Sequence, residues 1–277
     1  MPFDPAGLET LSLNVDEKIA EVLINRPEKR NAMNRAFWEE LPRLIDSLSD
    51  RSDVRAVVIA AAGDMFTAGL DLKMAGELMA GAQGDPGRVR EKLRRTILEM
   101  QDTFSAIERC RVPVIAAIQG GCLGAGVDLV TACDMRFAAA DAYFTIQEIN
   151  IGMVADVGTL QRAPHLLPHG VLRELAYTGR PMTAAEAAGY GFVNAVLPDR
   201  AAAVDRALET ARTIAAKSPL AVTGTKQVIN HARDHSVADG LDYVATWNTG
   251  LLMTGDLMTG VQAAMSRQTP DYDDLLE

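Results

Sequence analysis

The first part of the chain alternates short apolar runs with amphipathic segments. Residues 10–25 contain two alternating apolar and polar runs around Asp16, which predicts a β-hairpin. Asn34 is a typical N-cap for the amphipathic segment that follows it, and a short β-rich run covers residues 54–61. The clearest helix is predicted over residues 89–107, where apolar side chains recur at spacings of three and four.

The middle of the chain continues this alternation. Residues 112–118 predict a second buried strand, which leads into a glycine-rich turn at 120–126 and then a helix that ends near Cys133. Two further short strands are predicted around 135–138 and 143–146. Repeated strand, turn and helix units with buried strands favour an α/β architecture.

The pattern becomes mostly helical from Thr183, where a Thr-x-x-Glu capping box begins a helix. A last strand is predicted over 192–196, and only helices are predicted beyond Pro198. We therefore divide the chain into an α/β core, residues 1–199, and a C-terminal helical region, residues 200–277. One stretch, the glycine-containing residues 76–87, is predicted to be a mobile loop.

The composition excludes several classes of protein. The 277 residues are 48% hydrophobic, enough for a full-sized core, which excludes a disordered chain. A net charge of −10 without a basic run argues against a nucleic acid partner. The apolar runs are far shorter than the roughly 18 residues that cross a bilayer, so no membrane partner is expected.

Neither the N-terminus nor the cysteines and histidines carry a localisation or metal signal. The N-terminus has no basic-then-apolar pattern, and the three cysteines have no metal or disulfide spacing, so we expect a cytoplasmic protein. The four histidines form two pairs at i, i+4 without a third ligand or a metalloprotease glutamate. We therefore predict no metal site.

Two glycine-containing turns follow predicted strands and are candidates for binding a negative oxygen. At 120–126 the turn enters a helix, where unpaired backbone N–H groups and the helix dipole stabilise anions, but its spacing matches no nucleotide-binding motif. If the N–H groups of Leu70 and Ala125 converge on one oxygen, they form an oxyanion hole. The alternative is that both glycine clusters are only tight turns that need positive φ.

Three carboxyl groups lie in locally apolar sequence: Asp128, Glu148 and Asp156. Burial would raise their pKa values, and mutual repulsion would separate them, as acid–base chemistry on carbon requires. The alternative for each acid is that it caps a helix or pairs with a cation such as Arg136 or Arg162.

These segments resemble the crotonase (enoyl-CoA hydratase/isomerase) superfamily. The resemblance is carried by residues 120–198, and within them by 126–134 (GVDLVTACD) and 155–162 (ADVGTLQR), which are similar to the Δ3,5-Δ2,4-dienoyl-CoA isomerase branch. It extends to residues 25–33, 66–72 and 218–221, and so spans most of the chain. The resemblance implies a crotonase-like spiral of repeated ββα units with a C-terminal helical trimerisation region, assembled as a homotrimer or homohexamer.

The resemblance also implies roles in binding a CoA thioester. Leu70 and Ala125 stand where the family donates backbone N–H groups to the thioester oxygen, and Ala68 where a backbone carbonyl meets the adenine. Ala125 replaces a glycine of the family, which preserves the N–H donor if its φ is negative. The C-terminal tail lacks the family's usual basic residue, which leaves three candidates for the CoA phosphates: Lys73, Arg88 and Arg26.

The acids take their expected roles from the same resemblance. Asp128 and Glu148 stand at the two acidic positions that hydratases also use, whereas Asp156 replaces a glycine of hydratases and matches a catalytic aspartate of dienoyl isomerases. We therefore expect an isomerase of fatty acid β-oxidation that converts 3,5-dienoyl-CoA to 2,4-dienoyl-CoA, with no cofactor besides the CoA of its substrate. The alternatives are a 2-enoyl-CoA hydratase and a catalytically silent scaffold that binds CoA thioesters.

Overall fold

The computed structural model describes residues 7–80 and 84–276, without the side chains of residues 78–80. The strands are β1 (Leu11–Asp16), β2 (Ile19–Ile24), β3 (Ala56–Ala61), β4 (Val114–Ile118), β5 (Gly121–Leu123), β6 (Met135–Ala139), β7 (Tyr143–Thr145), β8 (Met182–Thr183) and β9 (Ala195–Leu197). The helices are α1 (Arg35–Asp50), α2 (Leu72–Ala80), α3 (Pro86–Arg109), α4 (Ala125–Ala132), α5 (Thr159–Arg162), α6 (His169–Thr178), α7 (Ala184–Gly189), α8 (Arg200–Ala215), α9 (Pro219–Asp234), α10 (Val237–Leu251) and α11 (Gly255–Ser266).

The predicted hairpin is confirmed. Strands β1 and β2 pair antiparallel, with Leu11 opposite Ile24. The connecting residues Glu17 and Lys18 both have positive φ, the backbone geometry of a two-residue turn whose twist matches that of the strands. Helix α1 also begins as predicted, because the side chain of Asn34 accepts a hydrogen bond from the backbone N–H of Phe37.

A six-stranded sheet in the order β1-β2-β3-β4-β6-β9 forms the centre of the molecule, and every pair beyond the hairpin is parallel. All residues of β3 and β4 are buried, as expected for strands covered on both faces. Val57 belongs to the larger core cluster, which includes side chains of α1 and α3, and Val58 belongs to the second, which includes the alanines of α8. Helix α8 thus packs directly on the sheet, and the division near residue 200 stays a prediction.

A second sheet of β5, β7 and β8 lies beside the first. Strands β4 and β5 with helix α4 form one strand–strand–helix unit, and β6 and β7 begin the next, which confirms the expected repeat. Gly124 joins β5, an edge strand of the second sheet, to helix α4.

Two predictions about element bounds differ from the structure. The last strand covers Ala195–Leu197 rather than 192–196, because Phe192 leaves the sheet and packs edge-on against Phe144, with ring centroids 5.0 Å apart. The stretch 76–87, predicted as a mobile loop, is largely helical where it is described, in the end of α2 and the start of α3; residues 81–83 lie outside the described residues. No helix in the described ranges has the length and apolar character that crossing a membrane requires.

Candidate active site

The two glycine turns meet, as the sequence predicted they could. Thr67 and Cys122 form a parallel bridge, in which the N–H of Thr67 donates to the Gly121 carbonyl at 3.0 Å. The bridge brings Gly69, with φ of 81°, against the second turn: a Cβ at this position would lie 2.6 Å from the Leu123 carbonyl oxygen. Glycine is therefore required at position 69 by both its φ and the close approach of the second turn.

Each turn presents one unpaired backbone donor. Among the described residues, the N–H groups of Leu70 and Ala125 have no hydrogen-bond acceptor, although their neighbours Gly69 and Asp71 do. Ala125 is the first residue of α4, where the helix leaves its N–H unpaired, and its φ is not positive. A Cβ at Gly69 would lie 3.5 Å from the Ala125 nitrogen, so the two donors belong to adjoining turns.

Asp128 lies in α4 and is fully buried. Its Oδ1 accepts a hydrogen bond from the backbone N–H of Thr159 at 2.5 Å, at the start of α5, whereas its Oδ2 has no partner. Neither cation considered from the sequence pairs with it: Arg136 binds backbone carbonyls, and Arg162 binds Glu108. The pKa of Asp128 is raised to about 6. Burial is the main cause of the rise, and the hydrogen bonds from Thr159 partly offset it.

Glu148 faces the turn that begins α4. It starts a short 3-10 turn, and its Oε1 lies against Gly124, where a Cβ would be 3.1 Å away. Its Oε2 is buried without a hydrogen-bond partner. Burial, followed by the charges of Asp128 and Asp156, raises the pKa of Glu148 to about 7.

Asp156 completes the cluster of acids. It is half-buried, and burial raises the pKa of its carboxyl group. Its charge contributes to the raised pKa values of Asp128 and Glu148. The structure therefore brings the three predicted acids close enough for their charges to interact.

The residues considered for CoA differ in their availability. The Ala68 carbonyl accepts no hydrogen bond within the described residues, and the exposed Lys73 makes no ion pair there. Arg26 donates to Asp71 at 3.2 Å and to the Ala32 carbonyl, and Arg88 is 89% exposed beside Asp85. Arg26 is thus held by protein partners, and Lys73 is the more available cation near the Leu70 turn.

One residue of the site was missed from the sequence. The side-chain amide of Gln101 on α3 donates to the backbone carbonyl of Asp156 at 2.7 Å. The two residues are 55 positions apart, and the helical periodicity of α3 gives no sign of the contact. The histidine pair considered for a metal forms a stack instead, with the His231 and His235 rings 3.8 Å apart, and no described cluster of three or more ligating side chains could hold a metal.

Comparisons with known proteins identify the family of the chain. The family profile for enoyl-CoA hydratase/isomerase matches residues 14–274. The human protein named mitochondrial Delta(3,5)-Delta(2,4)-dienoyl-CoA isomerase is 49% identical over 92% of this chain and 79% of its own length. The peroxisomal protein of the same name from Arabidopsis thaliana is 42% identical over 96% of both chains.

Solved structures share the fold. The crystal structure of an enoyl-CoA hydratase from Bacillus anthracis superposes with a TM-score of 0.87 at 31% identity, covering 96% of this chain and 99% of that one. A putative enoyl-CoA hydratase from Streptomyces coelicolor reaches a TM-score of 0.89 at 26% identity, covering 98% and 96%. The fold, the adjoining glycine turns and the profile over nearly the whole chain agree: the chain belongs to the enoyl-CoA hydratase/isomerase family.

Proposed function

We propose that the protein is an isomerase of fatty acid β-oxidation that converts a 3,5-dienoyl-CoA to the 2,4-dienoyl-CoA. The observation that carries this proposal is the third carboxyl group, Asp156, which lies in one electrostatically coupled cluster with Asp128 and Glu148. Identities of 42–49% to proteins named dienoyl-CoA isomerase support the same substrate class.

The thioester oxygen is bound by the backbone N–H groups of Leu70 and Ala125. Removing a proton from the α-carbon places negative charge on this oxygen, and two donors positioned in advance stabilise the charge as it develops. The unpaired state of both donors and their position in adjoining turns support this role. Ala125 adds the positive end of the α4 dipole.

Proton transfer is divided between two acids. Asp156 takes the proton from the α-carbon, and the electrons of that C–H bond form a dienolate conjugated through both double bonds. Glu148 then donates a proton to the ε-carbon, which leaves double bonds at positions 2 and 4. The pKa of about 7 for Glu148 supports its assignment as the acid, because its carboxyl group keeps a proton to donate near neutral pH.

Asp128 tunes the cluster rather than exchanging a proton with the substrate. Its carboxylate is fixed by the Thr159 N–H, and its charge raises the pKa of Glu148. An acid at this position therefore helps to keep Glu148 protonated near neutral pH.

The CoA moiety belongs to the substrate, so no separate cofactor takes part in the reaction. We assign the Ala68 carbonyl to the adenine and Lys73 to a phosphate, because both are free of protein partners within the described residues. The names of the relatives refer to mitochondria and peroxisomes, so the cytoplasmic expectation for this chain stays a prediction.

The assembly we expect is a homotrimer or a homohexamer. Helices α9, α10 and α11 border a mostly apolar cavity of about 590 Å³, and the nearby Met253, Met258 and Met265 are strongly exposed in the single chain. Large exposed apolar surfaces of this kind mark protein interfaces. Sedimentation at equilibrium tests the assembly through its mass.

Hydration of a 2-enoyl-CoA is the second candidate function. Asp128 and Glu148 each keep one buried oxygen without a protein partner, as the activation of water by two acids would require. A relative at 31% identity is named probable enoyl-CoA hydratase 2, from Arabidopsis thaliana.

Ultraviolet spectroscopy separates the two candidates. With 3,5-dienoyl-CoA, isomerisation produces the absorbance of a conjugated 2,4-dienoyl thioester; with 2-enoyl-CoA, hydration removes the absorbance of the enoyl thioester. We expect kcat/KM for the dienoyl substrate to be the larger. Hydration without dienoyl isomerisation would overturn the proposal in favour of the hydratase.

A further inference from the structure

The segment from Asp156 to Arg162 is attached at both ends to one face of α3. The residues of α3 that bind it are spaced by four and three positions, and so lie on the same side of the helix. They are Gln101, Ser105 and Glu108.

At the first end, Gln101 holds the main chain of Asp156. The side-chain nitrogen of Gln101 donates to the Asp156 carbonyl at 2.7 Å. An aspartate side chain has only two rotatable bonds, so the position of its backbone determines which atoms the carboxylate can reach. Gln101 therefore acts on the carboxylate through the main chain.

At the second end, the Arg162 guanidinium is held by two side chains of α3. It donates to Glu108 at 3.0 and 3.2 Å and to the Ser105 hydroxyl at 3.1 Å, and its side chain is 12% exposed. The guanidinium lies against Gly158, where any Cβ would overlap it. Gly158 and the salt bridge together fix the start of α5.

Between the two ends, the backbone N–H of Thr159 donates to Asp128. One segment thus carries Asp156 and contacts Asp128, while α3 holds the segment on both sides. The attachment of this segment to α3 therefore determines where Asp156 lies relative to Asp128.

We propose that Gln101 is a positioning residue for Asp156, and that its amide sets the distance between the carboxylate and the α-carbon of the substrate. This inference rests on the proposed function, in which Asp156 is the base. Gln101 contributes no proton, and its removal leaves the CoA-binding turns intact.

The variant Gln101→Leu tests this role, because leucine keeps much of the side-chain volume and lacks the amide donor. A misplacement of the base by about 1 Å costs about 100-fold in rate, so we expect kcat for dienoyl isomerisation to fall between about 10- and 100-fold. KM should change by less than about threefold, because ground-state binding is untouched. The matched control Lys92→Leu, at an exposed position of the same helix α3, should retain the wild-type kcat.

A double-mutant cycle shows whether Gln101 acts through Asp156. In the Asp156→Asn background, Gln101→Leu should reduce the residual rate by less than about twofold, because the base that it positions is already absent. An equal loss in both backgrounds, or a wild-type rate for the single variant, would overturn the inference.

Crystal structures keep the test independent of the assigned reaction. If the wild-type protein does not isomerise dienoyl-CoA, the proposed function fails, but the positioning role is still decided by the coordinates. We expect the Asp156 carbonyl to be displaced in Gln101→Leu and unchanged in Lys92→Leu. An unmoved Asp156 in Gln101→Leu would contradict the role.

Discussion

The carboxylate of Glu148 lies directly against the α-carbon of Gly124. A Cβ at Gly124 would be 3.1 Å from Oε1 of Glu148, and the residue has φ of 50° and ψ of −118°. The same glycine precedes Ala125, whose N–H is the proposed oxyanion donor. The proposed acid and the proposed oxyanion hole therefore depend on one small residue.

Substitution of Gly124 should disrupt both the Glu148 carboxyl group and the Ala125 N–H donor. In Gly124→Ala the methyl group crowds Glu148 and the backbone is strained, so we expect a loss of about 100-fold in isomerase kcat and about 1–3 kcal/mol in the free energy of unfolding. Steady-state kinetics and urea denaturation measure the two effects. The control Gly170→Ala lies in α6, where an added Cβ meets no atom within 4 Å, and should retain activity. Equal activity in both variants would contradict this account of Gly124.

The backbone donor of Ala125 can be removed by proline. Proline is tolerated at the first position of a helix but has no N–H, so Ala125→Pro should lower kcat by about 100- to 1,000-fold. Arg35→Pro, at the first position of α1, is the matched control and should retain the wild-type rate. Circular dichroism checks that both variants are folded. A folded Ala125→Pro variant with the wild-type rate would exclude this N–H as a donor to the thioester.

The stability of the protein should depend on the protonation of Glu148. Its pKa is about 7 in the folded protein, above the ordinary value of 4.5. The folded state therefore binds this proton more tightly than the unfolded chain, and the resulting stability is fully present below about pH 4.5 and lost as the pH rises through about 7.

Glu148→Gln should remove this dependence. At pH 8 we expect its free energy of unfolding to exceed that of the wild type by about 2 kcal/mol, because no buried charge remains at this position. Denaturant titrations between pH 5 and pH 8 measure the difference. Glu39→Gln, at an exposed position of α1, should follow the wild-type curve. An unchanged pH dependence in Glu148→Gln would contradict a raised pKa.

The Glu148→Gln variant should also allow the two proton-transfer steps to be measured separately. If Glu148 acts only at the ε-carbon, Glu148→Gln should still exchange the α-proton with deuterated water, while formation of 2,4-dienoyl-CoA falls by about 100- to 10,000-fold. Mass spectrometry of the recovered thioester measures the exchange. Loss of exchange in proportion to loss of product would instead place Glu148 in the first step.

Much of the fold could be predicted because its signals are local. Asn34 caps α1 and Thr183 forms a capping box with Glu186, both through contacts within three residues. The strand predicted over 192–196 was misplaced because Phe192 is apolar yet packs outside the sheet against Phe144. Periodicity reports which residues are buried and not which element buries them.

The candidate site could also be predicted only where its signals are local in the sequence. Motif resemblance identified Asp128, Glu148 and Asp156, and the structure brings them into one coupled cluster. Gln101 was missed because a single hydrogen bond from a helix to a distant backbone carbonyl leaves no pattern in the sequence. The raised pKa values of the acids also depend on burial and mutual distance, which only the folded chain defines.

The most direct test of the central claim is the rate of 2,4-dienoyl-CoA formation by Asp156→Asn, compared with the wild type at equal protein concentration. The amide keeps the size of the side chain but cannot take the α-proton, so we expect a loss of about 100- to 10,000-fold in kcat with an unchanged fold and little change in KM. A correctly folded Asp156→Asn variant that turns over dienoyl-CoA at the wild-type rate would contradict the proposed base and the mechanism built on it.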